Sequence, residues 1–384
     1  MTPSAMVELE PEYEELRRTV ERFAHVEVAP VIGDYYERGE FPYPIVARMG
    51  ELGLFGLPFP EEVGGMGGDY FALCLALEEL ARVDSSVAIT LEAGVGLGAM
   101  PIFRFGSPEQ KAEWLPRLCR GELLGAFGLT EPDGGTDAGA TRTTARLEGG
   151  EWVLDGTKCF ITNSGTDLTG LVTVTALTGS REISTVIVPS GTPGFSVSKK
   201  YSKVGWNASD TRELVFSECR VPEANLLGER GRGYAQFLQI LDEGRIAIAA
   251  LGVGLAQGCI DECLAYVEQR RAFGARISSY QSIQFKLADM EVRAHTARLA
   301  WRHAAGLLLA GRRLKKEAAI AKLASSEAAM ANARDATQIF GGYGFMNETP
   351  VGRFYRDAKI LEIGEGTSEV QRMLIARELG VGRN

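Results

Sequence analysis

Tyr13, Leu16, Val20 and Phe23 recur at spacings of three and four residues, and the run from Phe71 to Leu80 carries another apolar face of the same period. These spacings predict helices from residue 10 to about residue 121, punctuated by Pro30, Pro42, Pro44, Pro58 and Pro60. Short alternating runs rich in Thr, Val and Ile then take over, at residues 151–156, 171–176 and 184–189, and predict strands joined by turns of Gly, Asp, Ser and Pro. Helical periodicity returns after Gly233, over residues 234–270, 282–310, 314–340 and 367–379, with Ala-rich faces that allow close packing. The expected architecture is α+β with segregated elements: an N-terminal helical domain (1–122), a central β-domain of barrel or sandwich type (123–232) and a C-terminal helical bundle (233–384). Segregation argues against a doubly wound nucleotide fold. The glycines of 64–68 and 252–254 lack the strand, turn and helix context of a dinucleotide fingerprint. No repeat of solenoid period and no low-complexity segment interrupts the chain.

Composition narrows the function. The 384 residues are 45% hydrophobic and 24% charged, enough to build a substantial core. A net charge of -9 offers no general attraction to nucleic acid or to anionic lipid. The start, Met1 to Pro11, has neither a basic nor an apolar leader region, and no later stretch is expected to stay apolar and uncharged long enough to span a bilayer. The expected location is the cytoplasm, or the mitochondrial matrix for a chain already stripped of its leader. Six cysteines without CxxC spacing and only three histidines argue against disulfides and against a metal site. Cys259 and Cys263, one turn apart among Ala and Leu, read as buried packing residues. His25, His295 and His303 also read as structural, which turns the search for a general base toward carboxylates.

Six segments carry candidate chemistry. Gly128 to Ala140 is a loop of small residues and hydroxyls that can closely approach a planar polar ligand, though alone it is equally a solvated turn. Asp155-Gly-Thr-Lys158-Cys-Phe160-Ile161-Thr162-Asn163 presents an aromatic beside a hydroxyl. Leu241-Asp242-Glu-Gly244-Arg245 opens a helix. Arg270-Arg-Ala-Phe273-Gly, with Gln281 beyond it, offers guanidinium forks suited to phosphate, although an Arg pair also suits a solvated face. Gln338-Ile339-Phe-Gly-Gly342-Tyr-Gly and Gly364-Glu365-Gly366-Thr367-Ser-Glu369 complete the set, Glu365 standing before a helix that Thr367 can cap. On its own such a glutamate also serves as a capping anion.

In this order, and over nearly the whole chain, these segments resemble those of the acyl-CoA dehydrogenases. The resemblance implies an N-terminal helical domain, a β-domain and a four-helix bundle, with one FAD per chain. It implies cofactor contacts from Phe127, Leu129, Thr130, Gly135 and Thr136, from Phe160, Ile161 and Thr162, from Arg270, Phe273 and Gln281, and from Thr367 and Glu369. Gln338, Ile339 and Gly342 correspond to a turn that reaches a neighbouring subunit's FAD, which implies a homotetramer. Phe160 stands where many members carry Trp, and it keeps the stacking surface without the indole donor. Thr136, Asp242, Arg245, Gly364 and Gly366 correspond to acyl-CoA contacts. Glu365 corresponds to the catalytic base of short- and medium-chain members; isovaleryl and long-chain members carry the base on the helix corresponding to Leu241 to Arg245, just before the Arg, where this chain has Gly244. The implied reaction is α,β-dehydrogenation of a short, short-branched or medium-chain acyl-CoA, with electrons passed to electron-transferring flavoprotein. The alternatives are an oxygen-using acyl-CoA oxidase and a catalytically silent acyl-CoA-binding scaffold. Gly364 replaces a Tyr of many straight-chain members and suggests a wider pocket; Gly94, Gly96 and Gly98 either widen it further or mark a close backbone crossing. Glu92 lies near the family's pocket floor.

Overall fold

The structure, a computed structural model, describes residues 9–382. Seven helices come first: α1 (Pro11–Phe23), α2 (Ala29–Arg38), α3 (Tyr43–Glu51), α4 (Tyr70–Ala81), α5 (Ser85–Glu92), α6 (Met100–Phe105) and α7 (Pro108–Cys119). Local chemistry starts several of them. Asp69 caps α4 through the Ala72 amide, Asp84 caps α5 through Ser86 and Val87, and Ser107 with Gln110 forms a capping box on α7. α4 and α5 are buried along their whole length, so their apolar residues need no single face. Wide π-type turns over Ala93–Ala99 continue α5. A Cβ on Gly98 would stand 2.7 Å from the Gly125 carbonyl oxygen, so this glycine marks a backbone crossing and not a wider pocket. Gly94 packs against the Phe55 ring, and of the three glycines only Gly96 faces Glu92.

Eight strands make one mixed sheet: β1 (Leu124–Gly128), β2 (Thr144–Glu148), β3 (Glu151–Thr162), β4 (Thr169–Gly179), β5 (Glu182–Pro189), β6 (Phe195–Val197), β7 (Thr211–Pro222) and β8 (Leu226–Leu227). Their order is β6-β7-β3-β2-β4-β5-β8, with β1 parallel to β4. Trp152, Leu154, Val172, Val174, Val186 and Phe216 form the sheet's own core. A short hairpin, β9 (Arg271–Ala272) with β10 (Ala275–Arg276), follows the next helix.

The remaining helices are α8 (Gly233–Gln269), α9 (Gln281–Leu309), α10 (Lys315–Phe340), α11 (Pro350–Leu361) and α12 (Ser368–Glu378). α11 is absent from the sequence expectation, although Pro350 at its first position and buried Val351, Phe354, Ala358 and Leu361 carry the helical period. Residues 241–245 lie inside α8 and do not open it, because the helix begins at Gly233. The bilayer expectation also needs correction. Ser85–Phe105 and Gly233–Gln269 are long and apolar enough to span a membrane, but 89% and 83% of their most apolar windows are buried inside the protein, as core helices are. Cys259 and Cys263 are fully buried in α8. Helices and sheet are tied at Asp357 of α11, which accepts from Tyr36 Oη at 2.5 Å, Ser85 Oγ at 2.7 Å and the Trp206 amide at 2.6 Å.

Candidate active site

Glu365 sits in the turn between α11 and α12 with a left-handed backbone, φ 50°. A non-glycine residue there costs about 1–2 kcal/mol and persists only where its surroundings hold it. They do so on both sides. The Gly364 amide donates to Ile360 O at 2.7 Å, the Ser368 amide to Glu362 O at 3.0 Å, and Thr367 Oγ1 caps α12 by accepting from the Val370 amide at 3.2 Å. The carbonyl of Gly366, itself at φ 92°, accepts from Lys322 Nζ at 2.8 Å and from Gln371 Nε2 at 2.9 Å.

Glu365 is half-buried as a whole residue, and its Oε2 is enclosed. Across from it on α8 is Gly244, where a Cβ would stand 2.6 Å from Glu365 Oε2 and 3.8 Å from Glu92 Oε1. Both oxygens of Glu92, Glu365 Oε2 and the Tyr70 hydroxyl oxygen are buried with no hydrogen-bond partner among the described residues. Two facing carboxyls can satisfy each other only if one keeps a proton. Burial, then the charge of Glu365, drive Glu92 well above the ordinary carboxyl range, which favours Glu92 as its holder. Burial also pushes Glu365 up, to about 7, held there by the hydrogen bond from Glu92 and the positive charges of Lys322 and Arg245. Arg245 is 5% exposed and ion-paired with Asp242 one turn away. Gly366 lies in the turn itself, while at Gly364 an added Cβ would meet only Ile360, at 3.4 Å.

A second set of predicted residues lies on the β-domain. Glu131 braces the loop from beneath, accepting from the Arg142 amide at 2.7 Å, the Thr143 amide at 3.1 Å and the buried Lys158 Nζ at 2.7 Å. Lys158 also donates to Leu129 O at 3.2 Å, and the Cys159 amide to Thr130 O at 2.9 Å. Gly135 and Thr136 are left exposed. β3 bulges against β7 between Lys158 and Ile161, and Phe160, at φ 61°, turns its ring outward beside Tyr201 while Ile161 enters the sheet core. Thr162 ends the strand. Asn163 Nδ2 donates to Thr90 O at 3.0 Å, and Phe127 stacks on Phe237 with ring centroids 3.8 Å apart. These two ties set the strand ends against the helices that carry Glu92 and Arg245.

The remaining residues form another group at the far end of α8. Arg270 closes that helix with its guanidinium 5.8 Å from the Tyr343 ring, beside a cavity of about 410 Å³ lined by Arg270, Ile339, Gly342 and Tyr343 among others. Gln338 and Gln281 are exposed, as is Phe273 at 98%. Along α8 this group lies on the order of 35 Å from Arg245 at 1.5 Å per residue. Thr367 and Glu369 remain with the Glu365 turn. The outward aromatic of Phe160 and the braced loop fit a planar heterocycle, and the exposed Arg270 and Phe273 separately fit a phosphate-bearing group.

Three residues at Glu365 were not singled out in the sequence: Lys322, Tyr70 and Gln371. Lys322 did leave a signal, as a charge on the apolar Ala318, Ala321 and Ala329 side of α10. Glu92 left one as the carboxylate closing the uncharged run of α5.

Three family models match successive parts of the chain: acyl-CoA dehydrogenase N-terminal domain at residues 10–122, middle domain at 126–219 and C-terminal domain at 231–380. A probable acyl-CoA dehydrogenase of Bacillus subtilis is 48% identical over 377 residues, covering 97% of this chain and 99% of the relative. The mitochondrial short-chain specific acyl-CoA dehydrogenase of Mus musculus is 45% identical over 376 residues, covering 97% and 91%. Butyryl-CoA dehydrogenase from Megasphaera elsdenii has a similar structure, with a TM-score of 0.94, 40% identity and coverage of 97% and 99%. A chain in a structure described as the electron transferring flavoprotein of Acidaminococcus fermentans gives a TM-score of 0.95 at 40% identity, covering 98% and 100%.

Proposed function

The chain belongs to the acyl-CoA dehydrogenase family, and from that premise we propose that Glu365 removes the α-proton of a short-chain acyl-CoA as the thioester is oxidised to its trans-2-enoyl form. The family is FAD-dependent, and this chain is an oxidoreductase that acts on acyl-CoA. When bound, FAD supplies the acceptor for the hydride that leaves Cβ.

One observation carries the assignment of the base: the enclosed Glu365 carboxyl opposite Gly244, where no competing side chain exists. The α-hydrogen of a thioester is weakly acidic, so a useful base is one that burial has made more basic than a solvated carboxylate. Glu365 at about 7 is such a group, and it is still substantially ionised near neutral pH. Glu92 keeps its proton and donates toward Glu365, so it supports the base without competing with it. We assign the Glu365 amide as the protein's donor to the thioester carbonyl, where enolate charge develops. Arg245 and Asp242 line the acyl-CoA side.

FAD would be held by the loop from Phe127 to Thr136 and by Phe160, Ile161 and Thr162, with Thr367 and Glu369 near the base turn. Arg270, Phe273, Gln281, Gln338, Ile339 and Gly342 lie too far along α8 to serve the same end of the same molecule, which favours contacts to a neighbouring subunit's FAD and a homotetramer. A short acyl chain agrees with the named relatives, and Gly364 leaves room for branching. Electron-transferring flavoprotein is the proposed oxidant of the reduced enzyme, in keeping with the likeness to the Acidaminococcus structure. Anaerobic addition of butyryl-CoA to the purified yellow protein should bleach the flavin band in one turnover. A protein that binds FAD and butyryl-CoA yet keeps its colour would contradict this reading.

A further inference from the structure

We propose that Lys322 is a positioning residue for Glu365: its ammonium clamps the carbonyl that follows the glutamate and supplies the positive charge that keeps the carboxylate ready to accept a proton. The proposal rests on the reading of Glu365 as the base. Its geometry is independent of that reading.

Lys322 projects from the middle of α10 and is 0% exposed. A buried ammonium is costly unless an acceptor or an opposite charge meets it. Its Nζ donates at 2.8 Å to Gly366 O, one peptide past Glu365. Gln371 of α12 donates to the same oxygen at 2.9 Å, so the carbonyl is gripped from two helices. Rotating the Glu365 backbone out of its left-handed conformation would move that carbonyl and break both bonds. The clamp therefore offsets the cost of the φ 50° backbone that aims the side chain inward.

The charge matters separately. The groups around the Glu365 carboxyl are Glu92 at the end of α5, Tyr70 on α4, Arg245 on α8 and Lys322 on α10, with Glu362 and Glu369 flanking the turn. Only Lys322 and Arg245 are cations, and Arg245 is already ion-paired with Asp242. Burial pulls Lys322 down, to about 8, with Glu365 the first charge opposing that fall, so Lys322 stays protonated at neutral pH. Without it, burial would push Glu365 further toward its neutral form, which cannot act as a base.

The test is the pH profile of anaerobic flavin bleaching by butyryl-CoA, taken in wild type, Lys322→Met, Lys322→Arg and Glu365→Gln, with FAD content and thermal midpoint measured in each. In Lys322→Met the acid limb should move to higher pH by about one unit or more, the usual effect of removing an adjacent opposite charge, with FAD content retained. In Lys322→Arg, which keeps the charge, the limb should stay close to the wild-type position. A uniform loss at every pH in Lys322→Met, with an unmoved limb, would reduce Lys322 to a structural role and overturn the proposal. Should Lys322→Met not fold, the arginine variant decides: an unmoved limb supports the proposal and a shift of about one unit overturns it. Near-normal bleaching in Glu365→Gln would instead overturn the assignment of the base, and the proposal with it.

Discussion

Gly244 of α8 faces Glu365 so closely that a Cβ on the glycine would lie 2.6 Å from the glutamate's Oε2. The two positions thus compete for one place. A glutamate carried by the turn fits only because the helix offers no side chain there, and by the same geometry a glutamate carried by the helix would need the turn to be empty.

Moving the base between these positions is the first test. Gly244→Ala in the wild-type background should displace the Glu365 carboxyl and slow flavin reduction by on the order of 10- to 100-fold, as small misplacements of a reacting group do, with FAD content unchanged. Glu365→Gly should abolish reduction, and adding Gly244→Glu should restore a measurable rate. Stopped-flow absorbance reads all three; no recovery in the double variant would show that the two positions do not serve the same face of the acyl chain.

The buried carboxyl pair should make stability depend on pH. Glu365 stands at about 7 in the folded protein, above the ordinary 4.5, and Glu92 is raised as well. The folded state therefore binds these protons more tightly than the unfolded chain does. For Glu365 that contribution is complete at low pH and lost as pH rises through the interval from about 4.5 to about 7, at about 1.4 kcal/mol per unit. Calorimetry should find that Glu92→Gln and Glu365→Gln each flatten the fall of Tm over this interval. Parallel Tm curves for wild type and both variants would mean that the carboxyls do not share a proton.

Gly364 should set tolerance for branching. An added Cβ meets its nearest atom, Ile360 O, at 3.4 Å, so a side chain can start here without displacing backbone. Gly364→Tyr should cost branched substrates about tenfold in kcat/KM relative to butyryl-CoA, equivalent to about 1.4 kcal/mol of differential transition-state binding. Equal losses for both classes would remove pocket width as the explanation.

The protein should be a tetramer whose FAD binding depends on assembly. Phe273 is 98% exposed and Phe345 88%, and α9 presents Phe285 and Val292 at 59% and 62%, apolar side chains that a neighbouring subunit would cover. Light scattering on the yellow protein should give four times the 41.5 kDa chain mass. A monomer with full FAD content would contradict the placing of Arg270 and Gln338 on a neighbour's cofactor.

What could be read in advance followed the range of the interactions. The apolar face of α1 and the Thr367 cap of α12 depend on residues three or four positions apart, and both stand in the structure as the spacing suggests. The convergence of Glu92, Gly244, Lys322 and Glu365 draws on four separate elements, and no local period encodes it. Motif resemblance supplied Glu365 and Gly244, but not the left-handed backbone or the clamp on Gly366. The outward turn of Phe160 likewise depends on a bulge set by pairing with β7, whose partner residues lie some fifty positions away.

The most direct measurement is the reductive half-reaction of Glu365→Gln with butyryl-CoA under anaerobic conditions. The substitution keeps the shape of the side chain and the backbone amide, and removes only the ability to accept a proton at neutral pH. Butyryl-CoA should still bind, and flavin reduction should fall by more than the roughly 10²–10⁴-fold typical of losing a general base, because neither a histidine nor an ionised carboxylate stands ready to replace it. Reduction at close to the wild-type rate would contradict the assignment and leave Glu365 as an anion at the mouth of α12.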